Sequence, residues 1–496
     1  MDLQARLPWG DLVVAVVVGA ACVAGSFLLA GPTEAFVAVP INAAVVAYTP
    51  DAIVALSILY LGTLGELLGF ALATATVVVL FGTPAVAAGR ALDHPAKVGA
   101  VTAVYGAVVA FLLTGARDPA LAAGGAGGFV AGVLQYHDRP GFDPESRRKA
   151  LVALGGVAGF GALSYLAGTR AHGTTTRDLV DAMDWDEERQ AAVRSDIRDR
   201  LAEAESKSFD VDGLGGLVSP IEEHYEVDIN YLDPKVDPGG WELSVTGAVD
   251  EEFTLTYGDV VGMEPEHEFI TLRCVSDPVN GDLIDTALWT GIPVQRLLDR
   301  AGPQGNFVVL RAQDDYYAEF PIEAIEGAFL AYGMNGSLLP AGHGAPLRAL
   351  VLGHWGEVNV KWLTEIEVTE SEVISYWEKR GWQGTGPVHA VAKIGTVNRF
   401  DGRARIAGHA YDGIDGVRAV EVSTDGGETW SEARLSDPLP GEDVWRQWAY
   451  EWTLPSERRR VFARVIDGNG EVQPRKKQTP QPSGATGWAN TFVDGA

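Results

Sequence analysis

Cys274 closes the run Glu268-Phe269-Ile270-Thr271-Leu272-Arg273, which alternates and is rich in β-branched and aromatic residues. Asp277-Pro278 breaks the chain just after it. This pattern predicts a strand that ends in a turn. A thiol at that point can serve as a ligand or a nucleophile, although a free cysteine is more often a small buried hydrophobe. The other cysteine, Cys22, lies in a long apolar run, so no disulfide joins the two, and no CxxC or CxxCH motif is present.

Further polar segments follow the same order along the chain. They are Glu223 to Asn230, Gln313-Asp314-Asp315-Tyr316-Tyr317, His343-Gly344-Ala345-Pro346-Leu347-Arg348 and Gly356 to Leu363. The nine histidines are scattered, with no HxxxH or HExxH spacing, so a zinc site built by protein alone is weakly supported. GxSxG, Walker and GxGxxG motifs are missing too. What remains is one soft thiolate, several hydrogen-bonding side chains and the cations Arg348 and Lys361. A thiolate suits a soft metal, and Arg with Lys suits a phosphate. One thiolate cannot hold a transition metal alone. An organic cofactor that brings its own sulfur ligands and a phosphate would complete such a site.

The elements that would carry these residues divide sharply by composition. The 496-residue chain has a net charge of −28, but residues 1–170 carry nine basic and ten acidic side chains, leaving 29 and 56 for the remainder. That acidic remainder argues against nucleic acid as a partner, since phosphate binding needs a basic patch. Apolar stretches at 12–30, 67–89, 98–116, 119–136 and 150–169 predict five membrane-spanning helices, with six as the main alternative. Glu66 is the one ionisable residue well inside apolar sequence and is read as interfacial. Arg90, Lys97, Arg139, Arg147, Arg148 and Lys149 fall in two loops that the positive-inside rule places in the cytoplasm. Five spans then put everything after Arg170 outside the cytoplasm. Arg147-Arg148 ahead of the Gly-rich stretch Leu151–Gly168 reads equally as a positive-inside flank or as an internal Tat-like signal.

Residues 171–215 read as a polar connector with a solvated helix over 185–207. From about 216 to 385, strands and short helices mix: a strand over 241–247, a helix over 292–302, a strand over 307–311. From 386 to 496 only strands are expected, at 389–398, 403–410, 416–424, 429–435, 445–453 and 460–466, spaced like a β-sandwich with Trp430, Trp445, Trp448 and Trp452 as core bulk.

Residues 218–496 resemble the sulfite oxidase-like molybdopterin oxidoreductases. The resemblance rests on the strand-end Cys274, on Trp289-Thr290-Gly291-Ile292-Pro293 and on Leu330-Ala331-Tyr332-Gly333-Met334-Asn335-Gly336. It rests also on His343-Gly344-x-Pro346-x-Arg348, Val360-Lys361-Trp362-Leu363 and the Val420–Trp430 segment. It implies a multidomain architecture: an α-helical transmembrane bundle (1–170), a polar helical linker (171–215), an α+β molybdopterin-binding catalytic domain (216–385) and an all-β Ig-like dimerisation domain (386–496). Cys274 would be the protein ligand to molybdenum. His343, Arg348 and Lys361 would hold the pterin and its phosphate, with His224, Asn230 and Asn359 along the same pocket. Tyr316 matches the tyrosine at the reacting centre and Asp315 the acidic position beside it. The chemistry would be oxygen-atom transfer coupled to two-electron redox.

One departure from that pattern bears on the substrate. Sulfite oxidases follow the cysteine with a segment carrying arginine, whereas Val275–Asp282 carries no cation and two carboxylates. Sulfite would need Arg273 or another cation in its place, so a different small substrate is expected. No haem is expected either, because no segment is similar to a cytochrome b5 module. Electrons would pass to or from a separate partner, a soluble carrier or a quinone-linked membrane protein. A homodimer and contact with membrane lipid complete the expected partners. Two other readings stay open: a sulfoxide-type reductase working the same site in reverse, and a cofactor-free cell-surface binding protein.

Overall fold

The computed structural model describes residues 9–136, apart from 32–34 and scattered positions between 51 and 62, and residues 176–495, apart from 184, 230–232, 235 and 326. The chain divides into two compact units. The first is built on the N-terminal helices; the second comprises Thr174–Val227 with Val236–Ala496.

In the first unit the helices are Trp9–Ala30, Ala38–Tyr48, Thr63–Ala91, Pro95–Thr114 and Arg117–Tyr136. Small residues let them approach closely. A β-carbon on Gly19 would lie 2.1 Å from the Val78 carbonyl oxygen, one on Gly82 1.9 Å from that of Ala15, and one on Gly124 2.3 Å from that of Ala103. Such backbone-to-backbone contact is how apolar helices associate where the surroundings are as apolar as their side chains. Their outward faces stay apolar, with Leu68, Leu72, Val104, Leu112 and Phe129 exposed. Arg90, in the last turn of its helix, pairs with the buried Asp11. Among the described residues, three helices are long and apolar enough to cross a membrane: Gly10–Ala30, Leu67–Ala91 and Pro95–Thr114. They coincide with the first three expected spans. The fourth expected span is the Arg117–Tyr136 helix, whose Gly- and Ala-rich sequence is less apolar. The fifth, at 150–169, lies outside the described residues, as do the twin arginine and the Glu66 side chain.

The second unit opens with a short helix over Thr176–Asp181, followed by a longer one over Glu187–Lys207, which is capped by the Asp186 side chain on the Arg189 amide. It is not solvated all round: Val193, Ile197 and Ala204 are buried. Two mixed or antiparallel sheets follow. Strands β1 (Glu242–Gly247), β2 (Phe253–Thr256), β3 (Glu266–Arg273), β4 (Ile284–Pro293), β5 (Phe307–Ala312), β6 (Tyr317–Pro321), β7 (Phe329–Met334), β8 (Ser337–Leu338), β9 (Arg348–Leu350) and β10 (Leu363–Thr369) form them. One sheet runs β2-β1-β10-β5-β6, with β1 and β10 parallel; the other runs β3-β4-β7-β8, with β9 on β7. Ile270, Leu272, Ala287, Trp289, Phe329, Ala331 and Met334 form the core of the second sheet. Burying Trp289 alone stabilises by about 2–3 kcal/mol. The helix expected over 292–302 is shorter, Gln295–Ala301, because β4 continues to Pro293; Gly302 ends it at φ +64°.

Strands β11 (Val391–Phe400), β12 (Arg403–Tyr411), β13 (Val417–Ser423), β14 (Ser431–Glu432), β15 (Arg434–Leu435), β16 (Arg446–Thr453), β17 (Arg459–Asp467) and β18 (Ala489–Val493) complete the unit. They make two antiparallel sheets, β11-β12-β16-β15 and β14-β13-β17-β18. The two share one core of Ile406, Val420, Val422, Trp448, Val461 and Val465. The alternation inside the expected strands is observed, and β18 is an addition. Trp445 and Trp448 are buried, whereas Trp430 sits half-buried, edge-on to Trp488 under the Arg464 guanidinium.

Candidate functional site

Cys274 follows β3 directly. Its amide donates to the Leu283 carbonyl (3.0 Å), and its own carbonyl accepts from the Asp277 amide, which turns the chain. The sulfur is 3.1 Å from Ser276 Oγ. Burial raises the thiol pKa, and the hydrogen bonds from Ser276 oppose that shift. A buried neutral thiol of this kind ionises when a metal takes its proton's place. Gly356 lies against it: a β-carbon there would be 2.8 Å from the Tyr225 hydroxyl and 3.5 Å from Cys274 Cα.

Around this thiol stand groups that do not all appear among the expected ones. The Tyr316 hydroxyl donates to the Glu357 carbonyl (2.6 Å), and its ring tilts against Tyr376. Burial lifts the Tyr316 phenol well above its usual range, and the Glu357 carboxylate adds to this. Glu357 itself is 6% exposed, with neither carboxyl oxygen fully hydrogen-bonded among the described residues. Burial, reinforced by Glu378, raises its carboxyl to about 8. Asp315, in contrast, is exposed in the turn between β5 and β6, at φ +67°. The buried acid near Tyr316 is therefore Glu357. Its burial is not legible from local pattern, because a charged residue in a short polar segment reads as exposed.

The cations gather at the other end of the same segment. The Arg348 guanidinium donates to the His343 carbonyl (3.0 Å) and the Asn359 carbonyl (3.2 Å), and stands 5.1 Å from the centre of the Trp289 ring. Lys361 Nζ donates to the Gly342 carbonyl (2.7 Å). His343 Nε2 is 3.2 Å from the Ile221 carbonyl and 3.4 Å from Glu226 Oε1. His224 sits edge-on to His343 and to Trp289, with ring centres 5.2 and 5.7 Å away. Burial pushes His343 down to about 4; the Arg348 cation adds to this, the Ile221 carbonyl opposes it, and Lys361 contributes least. Burial lowers His224 well below its usual value, helped by His343 and Arg348. Both imidazoles are thus neutral donors beside two fixed cations. Asn359 accepts the Val351 amide through Oδ1.

The structure brings together Cys274, Tyr316, His224, His343, Arg348, Asn359 and Lys361. It leaves Asp315 outside, and Asn230 lies beyond the described residues. The residues present fit a metal held by an anionic, phosphate-bearing organic ligand. Among the described residues, the buried His224 Nε2 and Asn359 Nδ2 have no hydrogen-bond partner. His224 Nδ1 faces the Tyr225 carbonyl (3.3 Å), so in the neutral ring Nε2 is the acceptor. A ligand that donates to His224 Nε2 and accepts from Asn359 Nδ2 would remove the cost of leaving them so, about 1–3 kcal/mol each. Arg273, next to the thiol in sequence, is engaged on two of its nitrogens. It is fully buried, with Nε on Asp277 (3.1 Å) and another nitrogen on the His389 carbonyl (2.8 Å).

Comparisons with known proteins agree with this arrangement. The oxidoreductase molybdopterin binding domain matches residues 230–377, and the Mo-co oxidoreductase dimerisation domain matches residues 388–482. The mitochondrial sulfite oxidase of Mus musculus is 29% identical over 303 residues, covering 49% of this chain and 54% of the relative. The NADH nitrate reductase of Solanum lycopersicum is 25% identical over 334 residues, 53% of this chain and 36% of the relative. The chain thus spans about half or less of the length of these two curated relatives. The sulfane dehydrogenase SoxCD from Paracoccus pantotrophus shares the fold at a TM-score of 0.51 and 21% identity, covering 57% of this chain and 82% of that one. Through residues 230–482 the chain belongs to the sulfite oxidase-like molybdopterin oxidoreductases.

Proposed function

We propose that the chain is a membrane-anchored molybdenum oxidoreductase that acts on a small substrate other than sulfite. The observation that carries the reading is the joining of the buried Cys274 thiol to the His343–Arg348–Lys361 cluster through one continuous segment, Gly356–Lys361. When bound, the cofactor would supply two-electron redox and oxygen-atom transfer. Cys274 would bind its metal. Arg348 and Lys361 would neutralise its phosphate, Asn359 would donate to it, and His224 and His343 would line it with their free ring nitrogens as acceptors. Tyr316 would orient the substrate beside the metal.

Sulfite is disfavoured because the nearest cation in sequence, Arg273, is already bound to Asp277 and the His389 carbonyl. Reduction of a sulfoxide at the same site is the second reading; a neutral substrate suits a site in which Arg273, the cation next to the thiol in sequence, is engaged by Asp277. The domain limits 1–170, 171–215, 216–385 and 386–496 belong to the same proposal. So do an Ig-like character for the C-terminal sheets, a homodimer through them, a catalytic part outside the cytoplasm and a separate electron-transfer partner.

Metal analysis and visible absorption of the purified full chain test the proposal, with Cys274→Ser alongside. The expected result is stoichiometric molybdenum and a thiolate-to-molybdenum band in the unmutated protein, with the band gone in the variant and activity down by more than about a hundredfold. Absence of molybdenum from the unmutated protein, made in cells with an intact cofactor pathway, would favour the cofactor-free binding protein instead. Assays with methyl sulfoxides and an artificial donor separate reductase from oxidase.

A further inference from the structure

Two segments of the pocket are held by one residue that belongs to neither, through its side chain and its backbone carbonyl. Asp443 lies in the loop before β16, among the C-terminal sheets, and is 2% exposed. Its Oδ2 accepts the Gly353 amide (2.8 Å), at the start of the segment that carries Gly356, Glu357, Asn359 and Lys361. Its Oδ1 accepts the Tyr411 hydroxyl (2.5 Å), at the end of β12. Its backbone carbonyl accepts the Thr271 amide (2.9 Å), three residues before Cys274 on β3. Tyr411 is also within reach of the Thr271 carbonyl (3.2 Å), and the Trp445 amide donates to Thr271 Oγ1 (3.0 Å). Two residues on, Arg273 reaches the His389 carbonyl.

These bonds are local and specific. Gly353 sits at φ +70°, and a β-carbon on it would come within 3.2 Å of Ile414, another residue of the C-terminal part. The segment that leaves β9 therefore packs against the turn between β12 and β13. β3 is held from the same side. The spacing between the thiol and the cationic cluster is set by a third body, in the way groups behind a metal ligand fix its aim.

We propose that Asp443 is a positioning residue for the cofactor pocket, fixing the Cys274 strand and the Gly353–Lys361 segment at a set separation through its bonds to Thr271, Tyr411 and Gly353. The C-terminal sheets are then part of the metal site's framework within one chain. The proposal rests on Cys274 being the metal ligand.

The test compares three variants of the full-length holoprotein: Asp443→Ala, the milder Tyr411→Phe, and Val465→Ala as a control in the same core but away from these bonds. Amide hydrogen exchange at Gly353 and the Mo(V) electron paramagnetic resonance signal are read together with thermal stability. For Asp443→Ala, exchange at Gly353 should accelerate by about tenfold or more, and the g-values of the molybdenum-loaded fraction should shift. Tyr411→Phe should move both in the same direction by less, and it carries the test if Asp443→Ala does not accumulate. Val465→Ala should lower stability without changing either readout. An unchanged Mo(V) signal in Asp443→Ala or, where that variant does not accumulate, in Tyr411→Phe would overturn the positioning role; so would an equal change in Val465→Ala. If Cys274→Ser keeps the thiolate band, the ligand assignment itself fails and this proposal with it.

Discussion

At the scale of single residues, the site is a set of groups held in the protonation state that burial dictates. Glu357 is the clearest case, with its carboxyl raised to about 8 by burial and then by Glu378. A folded value above the unfolded one means that the fold favours the acid form. Its contribution to stability is fully present below about 4.5 and is lost as pH rises through 8. Glu357→Gln, which keeps the shape without the ionisation, should match the unmutated protein near pH 4 and exceed it in unfolding midpoint near pH 9. Parallel midpoint-versus-pH curves would contradict this. Arg348 gives a second prediction. Its guanidinium spans two carbonyls and faces Trp289, a geometry that a lysine ammonium cannot copy. Arg348→Lys should weaken cofactor retention by about 10–100-fold, read as molybdenum lost on dialysis against unmutated protein.

At the scale of elements, what the sequence made legible was whatever depends on local pattern. Glu268–Arg273 alternates, and β3 is there; the strands from Val391 onward follow the same rule. β18 was missed because Ala489–Val493 follows a long Pro- and Gly-rich stretch that gives no strand signal. Asp315 was placed beside the reacting centre by its neighbour Tyr316, yet a positive φ in a hairpin turn points the chain another way. Glu357 and Asp443 escaped notice because their roles depend on tertiary burial, which no local pattern encodes. Gly344 lies between these cases. It adopts φ +107°, and a β-carbon on it would come 2.8 Å from Lys361 Cβ. Gly344→Ala should therefore cost about 1–3 kcal/mol of stability, measured by denaturant midpoint, and displace Lys361 from the Gly342 carbonyl.

At the scale of the whole molecule, two chemistries share one chain. The N-terminal helices are nearly neutral, with small residues at their close contacts and large apolar ones also facing outward; the rest is strongly acidic. If the helices anchor the protein, the full chain should stay with the membrane fraction through washes in high salt and in alkaline carbonate. Release by either wash would mean surface attachment only. A net charge of −27 beyond residue 170 also means that a basic redox carrier would be drawn to it, more weakly as salt rises.

The bonds of Asp443 have one more consequence, in time. Thr271 and Cys274 leave the ribosome about 170 residues ahead of the residue whose backbone carbonyl holds Thr271. At roughly 5–20 residues per second that is a wait of about 10–30 seconds. During that interval the thiol's strand lacks its partner, so metal loading belongs after synthesis of the C-terminal sheets. A nascent chain arrested before residue 443 should remain unmetallated however much cofactor surrounds it.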